Sequence, residues 1–65
     1  MKISEALKKY RQELALSQKE FIQDIISPSQ YSRIENGTQE INLSTALLPL
    51  TANHINVTEF IDEVL

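Results

Sequence analysis

Residues 17–37 read SQKEFIQDIISPSQYSRIENG, a stretch that carries two helix-start signals in close succession. Ser17-Gln-Lys-Glu20 is a capping box: the serine oxygen accepts from a first-turn amide while the Glu20 carboxylate reaches back to the serine amide. Phe21, Ile22 and Ile25 follow as an apolar stripe, which predicts a helix over about residues 18–25. Ser27-Pro-Ser-Gln30 repeats the signal, with Ser27 as cap, Pro28 at the first helical position and Gln30 closing a second box. The next helix turns Tyr31 and Ile34 inward and stops at Asn36-Gly37, where Gly37 is free to enter the left-handed region.

With only about two residues between them, these helices must meet at a steep angle, which is helix-turn-helix geometry over residues 17–37. Upstream, Ile3, Ala6, Leu7, Tyr10 and Leu14 recur at helical spacing and predict an amphipathic helix from 3 to about 14. Downstream, Thr38 to Asn42 is a connector, and Asn42 caps a fourth helix carrying Leu43, Ala46, Leu47 and Leu50. Pro49 removes an amide from that helix, so a kink or an end near Leu48 is expected. Asn53 to Asn56 reads as a loop, and Thr58 as the cap of a last helix holding Ile61, Val64 and Leu65. The expectation is an all-α, five-helix fold forming one domain over residues 1–65. The apolar pattern runs to the final residue, as if the last helix docks on a partner or the chain is a piece of something longer.

A chain of 65 residues buries only about 60% of the surface its unfolded form exposes. Without cysteine, neither disulfides nor thiolate zinc sites can supplement the apolar core. Lys2, Glu5, Lys8 and Lys9 interrupt any apolar run at the N-terminus, and no segment approaches the roughly 20 apolar residues of a membrane span. A cytoplasmic location is expected. The net charge of −3 speaks against a polyanionic partner, but the charges are segregated. All six basic residues lie in 1–35 beside five acids, a balance of +1; residues 36–65 carry four acids and no base, a balance of −4. One face is thereby suited to a polyanion and another to a different partner.

Pro28, Ser29, Ser32 and Arg33 project away from the Tyr31/Ile34 side of the third helix, with Ser29 and Arg33 one turn apart. A guanidinium can bridge O6 and N7 of guanine, and serine or glutamine can donate or accept at base edges. The plainer reading is a solvated polar face; its place directly after a capped turn favours recognition. Gln18 opens the second helix, where free amides suit a phosphate, or it is an ordinary first-turn residue. Arg11 is read as an ion-pair partner of Glu35, since a partly buried carboxylate needs one. Tyr31 is read as core with its hydroxyl at the surface, within reach of a phosphate. Asn36 offers its amide to a backbone or merely ends the helix. His54 reads as a surface residue, and Glu59, Asp62 and Glu63 as a solvated acidic face. No metal site, cofactor site or catalytic constellation can be argued.

Leu16-Ser-Gln-Lys-Glu-Phe21 followed by Ser32-Arg-Ile-Glu-Asn-Gly37 resembles the lambda repressor/Cro-like (XRE) helix-turn-helix family. Arg11, six residues before Ser17, matches the family arginine that pairs with the recognition-helix glutamate, here Glu35. Asn56-Val-Thr58 is similar to the family's loop before its fifth helix. The resemblance covers nearly the whole chain. It departs at the turn, where the usual glycine is missing and Ile25-Ile-Ser-Pro-Ser29 is one residue shorter. That variant is most similar to the Rgg/MutR group of Gram-positive regulators, in which such a domain precedes a helical region that binds peptide pheromones and dimerises. No such region is present here. A second departure is Pro49.

The resemblance implies that Gln18, Pro28, Ser29, Gln30, Ser32 and Arg33 fall at or beside DNA-contacting positions, and Asn36 and Thr38 at backbone contacts. The expected function is sequence-specific binding of double-stranded DNA by a transcriptional regulator. The third helix would enter the major groove, and a homodimer would occupy a palindromic operator. The alternative is a helical protein-interaction module using the acidic C-terminal half.

Overall fold

The structure, a computed structural model, describes residues 1–65 and contains five helices: α1 (Ile3–Glu13), α2 (Gln18–Ile22), α3 (Pro28–Glu35), α4 (Leu43–Ala52) and α5 (Val57–Val64). No helix is long and apolar enough to cross a membrane. α1 is the central element and packs against α3, α4 and α5, while α2 packs on α3. One apolar cluster fills the space between them, built from Ala6, Leu7 and Tyr10 of α1, Phe21 and Ile22 of α2, Tyr31 and Ile34 of α3, Ala46 and Leu50 of α4, and Phe60 of α5, with Ile26 from the turn. Phe21 meets Tyr31 and Tyr10 meets Phe60 as tilted aromatic pairs, each with ring centroids 5.9 Å apart.

The second helix is shorter than its apolar stripe suggests. It ends at Ile22, because Gln23 and Asp24 both enter the left-handed region at φ 47° and 65°. Two such residues replace the single glycine that a longer helix would have used. The register shifts with them: Ile26 turns into the core, and Ile25, expected on the buried stripe, is 40% exposed. The second capping box forms only by half. The Gln30 amide donates to Ser27 Oγ at 3.2 Å, but the Gln30 side chain makes no bond back.

α4 runs through Pro49 to Ala52, so it does not end near Leu48, the second of the two outcomes expected of that proline. The proline ring is wholly buried in the core, and the Pro49 carbonyl accepts from both the Asn53 backbone N–H (3.1 Å) and Asn53 Nδ2 (2.7 Å). Burial of the ring and a doubly bonded carbonyl offset the amide lost one turn back. At α5 the cap is Asn56, whose Oδ1 accepts from the Thr58 amide at 3.0 Å, so the helix begins one residue before the expected Thr58 cap. Its buried residue is Phe60. Ile61 and Val64 are only half-buried, and Leu65 is 92% exposed.

Candidate nucleic-acid interface

The angle between α2 and α3 is locked from behind by a buried ion pair. Arg11 on α1 donates to Glu35 on α3 through Nε (2.8 Å to Oε2) and Nη2 (2.9 Å to Oε1), a two-point, side-on contact. Its third nitrogen, Nη1, donates to the Leu16 carbonyl at 2.8 Å. The Glu35 side chain is 2% exposed and that of Arg11 14%. Burial alone would push the Glu35 carboxyl up, but donors from Arg11 and Gln18 outweigh it, and the carboxyl sits below its ordinary value. Arg11 is held above its own ordinary value by the same carboxylate. Three helices are thus joined at one carboxylate.

Gln18 belongs to that junction. Its Nε2 donates to Glu35 Oε1 at 3.1 Å, so its side chain is tied to the ion pair. At the start of α2 the Gln18 and Lys19 backbone amides keep no partner within the helix, as first-turn amides do, whereas Ser17 and Glu20 close their box at 2.9 and 3.1 Å.

Tyr31 corrects the sequence reading. The whole residue is buried, its hydroxyl included, and that hydroxyl sits close to Glu35 and Arg11 without a hydrogen-bond partner. Burial in that setting raises its pKa. No phosphate can reach it.

The opposite side of α3 is open. Pro28, Ser29 and Arg33 are exposed, and Gln30 and Ser32 are half-buried along the same rim. Ser29 and Arg33 stand one helical turn apart on that surface, where the side chains of residues i and i+4 are neighbours. The helix ends in a Schellman motif: Gly37 (φ 80°) donates to the Ile34 carbonyl at 3.1 Å and Thr38 to the Arg33 carbonyl at 3.0 Å. Asn36 is exposed and its carboxamide is unengaged. Thr38 is exposed too, but its hydroxyl donates inward to the Arg33 carbonyl at 3.2 Å. The surface therefore offers one guanidinium, the unengaged hydroxyls of Ser29 and Ser32, the unengaged carboxamides of Gln30 and Asn36, and first-turn amides. Together these suit base edges and phosphates.

Two residues that the sequence did not single out shape this surface. Gln39 accepts from Arg33 Nε at 3.1 Å. Asn53 donates to the Phe21 carbonyl at 2.8 Å, satisfying a group left over by the early end of α2. Each lies in a polar connector with no periodic pattern, so only the folded chain reveals its partner. The acidic half is also partly engaged: Lys9 pairs with Glu63 across α1 and α5, while Glu59 and Asp62 stay exposed. His54 takes the left-handed position after α4, at φ 59°.

A helix-turn-helix family model matches residues 7–48, from the middle of α1 to just before Pro49. No curated protein and no solved structure matches the chain. The matched span holds the capped α2, the turn, the whole of α3 and both partners of the buried ion pair. The chain belongs to the helix-turn-helix family in its lambda repressor/Cro-like (XRE) form, a family of DNA-binding transcription regulators.

Proposed function

We propose that the chain reads duplex DNA by sequence, with α3 inserted in the major groove and residues 1–65 acting as one DNA-binding unit. The observation that carries this reading is the two-sided character of α3. One side is fixed to α1 and α2 through Glu35 and the core, and the other presents Ser29 and Arg33 to solvent a turn apart. A rigidly backed helix with a short polar face has the shape of the groove and the donors and acceptors to discriminate base edges. Ser29 and Arg33 are the base readers, Pro28, Gln30 and Ser32 pack beside them, and Asn36, Thr38 and the Gln18 backbone amide set register on phosphates.

Affinity of a single copy is weak, because Arg11 and Lys9 are taken up in ion pairs and the chain is net acidic. A homodimer on a palindromic operator, with half-sites about 34 Å apart, supplies the missing affinity. The short turn, with Ser27 and Ser29 flanking Pro28, favours the Rgg/MutR type, in which a regulatory region follows the DNA-binding unit in a cytoplasmic regulator. Selection from a random duplex pool at several salt concentrations tests the proposal. The expected outcome is a short palindromic motif. A pool left unenriched at low salt by dimeric protein overturns the reading.

A further inference from the structure

Gln39 lies outside residues 17–37, in the connector that follows α3. The chain there folds back on the helix it has just left. The Thr38 N–H, the Thr38 hydroxyl and the Gln39 N–H all donate to the Arg33 carbonyl, at 3.0, 3.2 and 3.3 Å. The Gln39 side chain then accepts from Arg33 Nε through Oε1 at 3.1 Å. A guanidinium has only donors, so the atom facing it must be the amide oxygen. One residue thereby holds both the backbone and the head group of Arg33.

The consequence lies in what is left free. With Nε engaged, one edge of the guanidinium is occupied, and the remaining edge carries Nη1 and Nη2, neither of which has a partner in the protein. That pair of donors matches O6 and N7 of guanine. An arginine without a brace can swing to the nearest phosphate, which adds affinity but no discrimination. We propose that Gln39 is a specificity-determining positioning residue that holds the Arg33 fork in one orientation, so that it reads a guanine rather than a phosphate. The inference rests on the DNA-reading role proposed for α3.

The test compares the motifs selected from random duplexes by the wild-type chain, Gln39→Met, Gln39→Glu, Arg33→Ala and the Gln39→Met/Arg33→Ala double variant, each assayed as dimer and corrected for folded fraction. Methionine keeps the length of the side chain and removes the acceptor, whereas glutamate keeps the acceptor. Gln39→Met should lower the preference for guanine about threefold to tenfold, at the one position that Arg33→Ala relaxes. Gln39→Glu should retain that preference even where total affinity falls. The double variant should be no less selective there than Arg33→Ala alone. An undiminished guanine preference in Gln39→Met, or a uniform loss of affinity over all duplexes, overturns the role of Gln39 and leaves the DNA-reading proposal standing. A wild-type pool without a motif overturns both.

Discussion

Arg11 and Glu35 lie 24 residues apart in the chain and meet edge to edge, with two nitrogen–oxygen distances of 2.8 and 2.9 Å, behind the helix whose other face is free. Removing either partner leaves the other charged and enclosed, and breaking a buried pair in this way costs about 3–5 kcal/mol. A chain of this size has a total stability of about 3–10 kcal/mol. Arg11→Met should therefore leave the protein largely unfolded or melting far lower in urea or thermal denaturation. Replacing Arg11 and Glu35 together by apolar residues of similar volume should recover much of the loss. Affinity per folded molecule should stay intact, since neither side chain faces the open side of α3.

The same carboxylate makes folding sensitive to acid. Glu35 is held below its ordinary value of 4.5 in the folded protein, so the unfolded chain takes up a proton first as pH falls. Its stabilising contribution is complete above the unfolded value and disappears as pH drops through the folded one. The exposed Glu20, lowered by its bonds from Ser17, acts in the same direction. Denaturation followed by circular dichroism should show stability falling below about pH 4.5. Glu35→Gln should be less stable at neutral pH and show a shallower acid limb; an unchanged limb would mean that other groups govern acid unfolding.

The backbone provides a third test. α1 and α3 both end in Schellman motifs, with Ala15 (φ 57°) in the left-handed position of the first and Gly37 (φ 80°) in that of the second. Ala15 is exposed and gives up no packing on losing its methyl group. Left-handed backbone costs an L-residue roughly 1–2 kcal/mol, and glycine's larger unfolded-state entropy returns part of that. Ala15→Gly should raise stability by about 0.5–1 kcal/mol. Gly37→Ala should lower it by about 0.5–1 kcal/mol, the same balance of strain and unfolded-state entropy reversed, since nothing lies within 4 Å of the added Cβ. Both are read from equilibrium urea unfolding, and a loss of stability in Ala15→Gly would refute the strain argument.

On the open face, Arg33→Ala should cost about 1–3 kcal/mol against the selected motif and relax one base position. Lys19, exposed in the first turn of α2, offers only a charge to the phosphates, so Lys19→Ala should change specificity at no position, weaken binding evenly and reduce the salt slope. Titration of matched and single-mismatch duplexes at several salt concentrations separates the two behaviours. An Arg33→Ala variant with an unaltered motif would remove Arg33 from base recognition.

Local chemistry was readable where one short stretch contains both partners. The Ser17–Glu20 box, the Asn42 cap and the end of α3 at Gly37 all lie within four residues of the groups they satisfy. Helical spacing alone placed Ala6, Leu7, Tyr10, Tyr31, Ile34, Ala46 and Leu50 in the core. What escaped depended on distant partners. Tyr31 appeared amphipathic because its helix is, but the fold buries its hydroxyl close to the Arg11–Glu35 pair. Pro49 appeared as a helix breaker because the burial of its ring and the Asn53 side chain are invisible in the local pattern. Ile25 and Ile26 are indistinguishable by composition, and only the left-handed pair Gln23–Asp24 decides which one turns inward. On the candidate surface the exposed positions of Ser29 and Arg33 were accessible to sequence reasoning, but the contact between Arg33 and Gln39 was not.

Asn53 makes another contact between residues far apart in sequence. Its Nδ2 bridges the Phe21 and Pro49 carbonyls at 2.8 and 2.7 Å, and its Oδ1 accepts from Gln23 Nε2 at 3.3 Å. The Phe21 carbonyl has no other partner, because the Ile25 amide bonds to Ile22 instead. Leaving a partly buried carbonyl unsatisfied costs about 1–3 kcal/mol. Asn53→Ala should therefore destabilise the fold by about that amount. Hydrogen exchange should show the loss first at the α2–α3 turn, more than 25 residues away in sequence, rather than only at the end of α4. Asn53→Asp makes the sharper comparison, because it keeps the size and the acceptor but presents two oxygens to two carbonyls. It should be at least as damaging as alanine. A benign Asn53→Asp would show that the bridge contributes nothing and that the turn holds its shape through Gln23, Asp24 and the core alone.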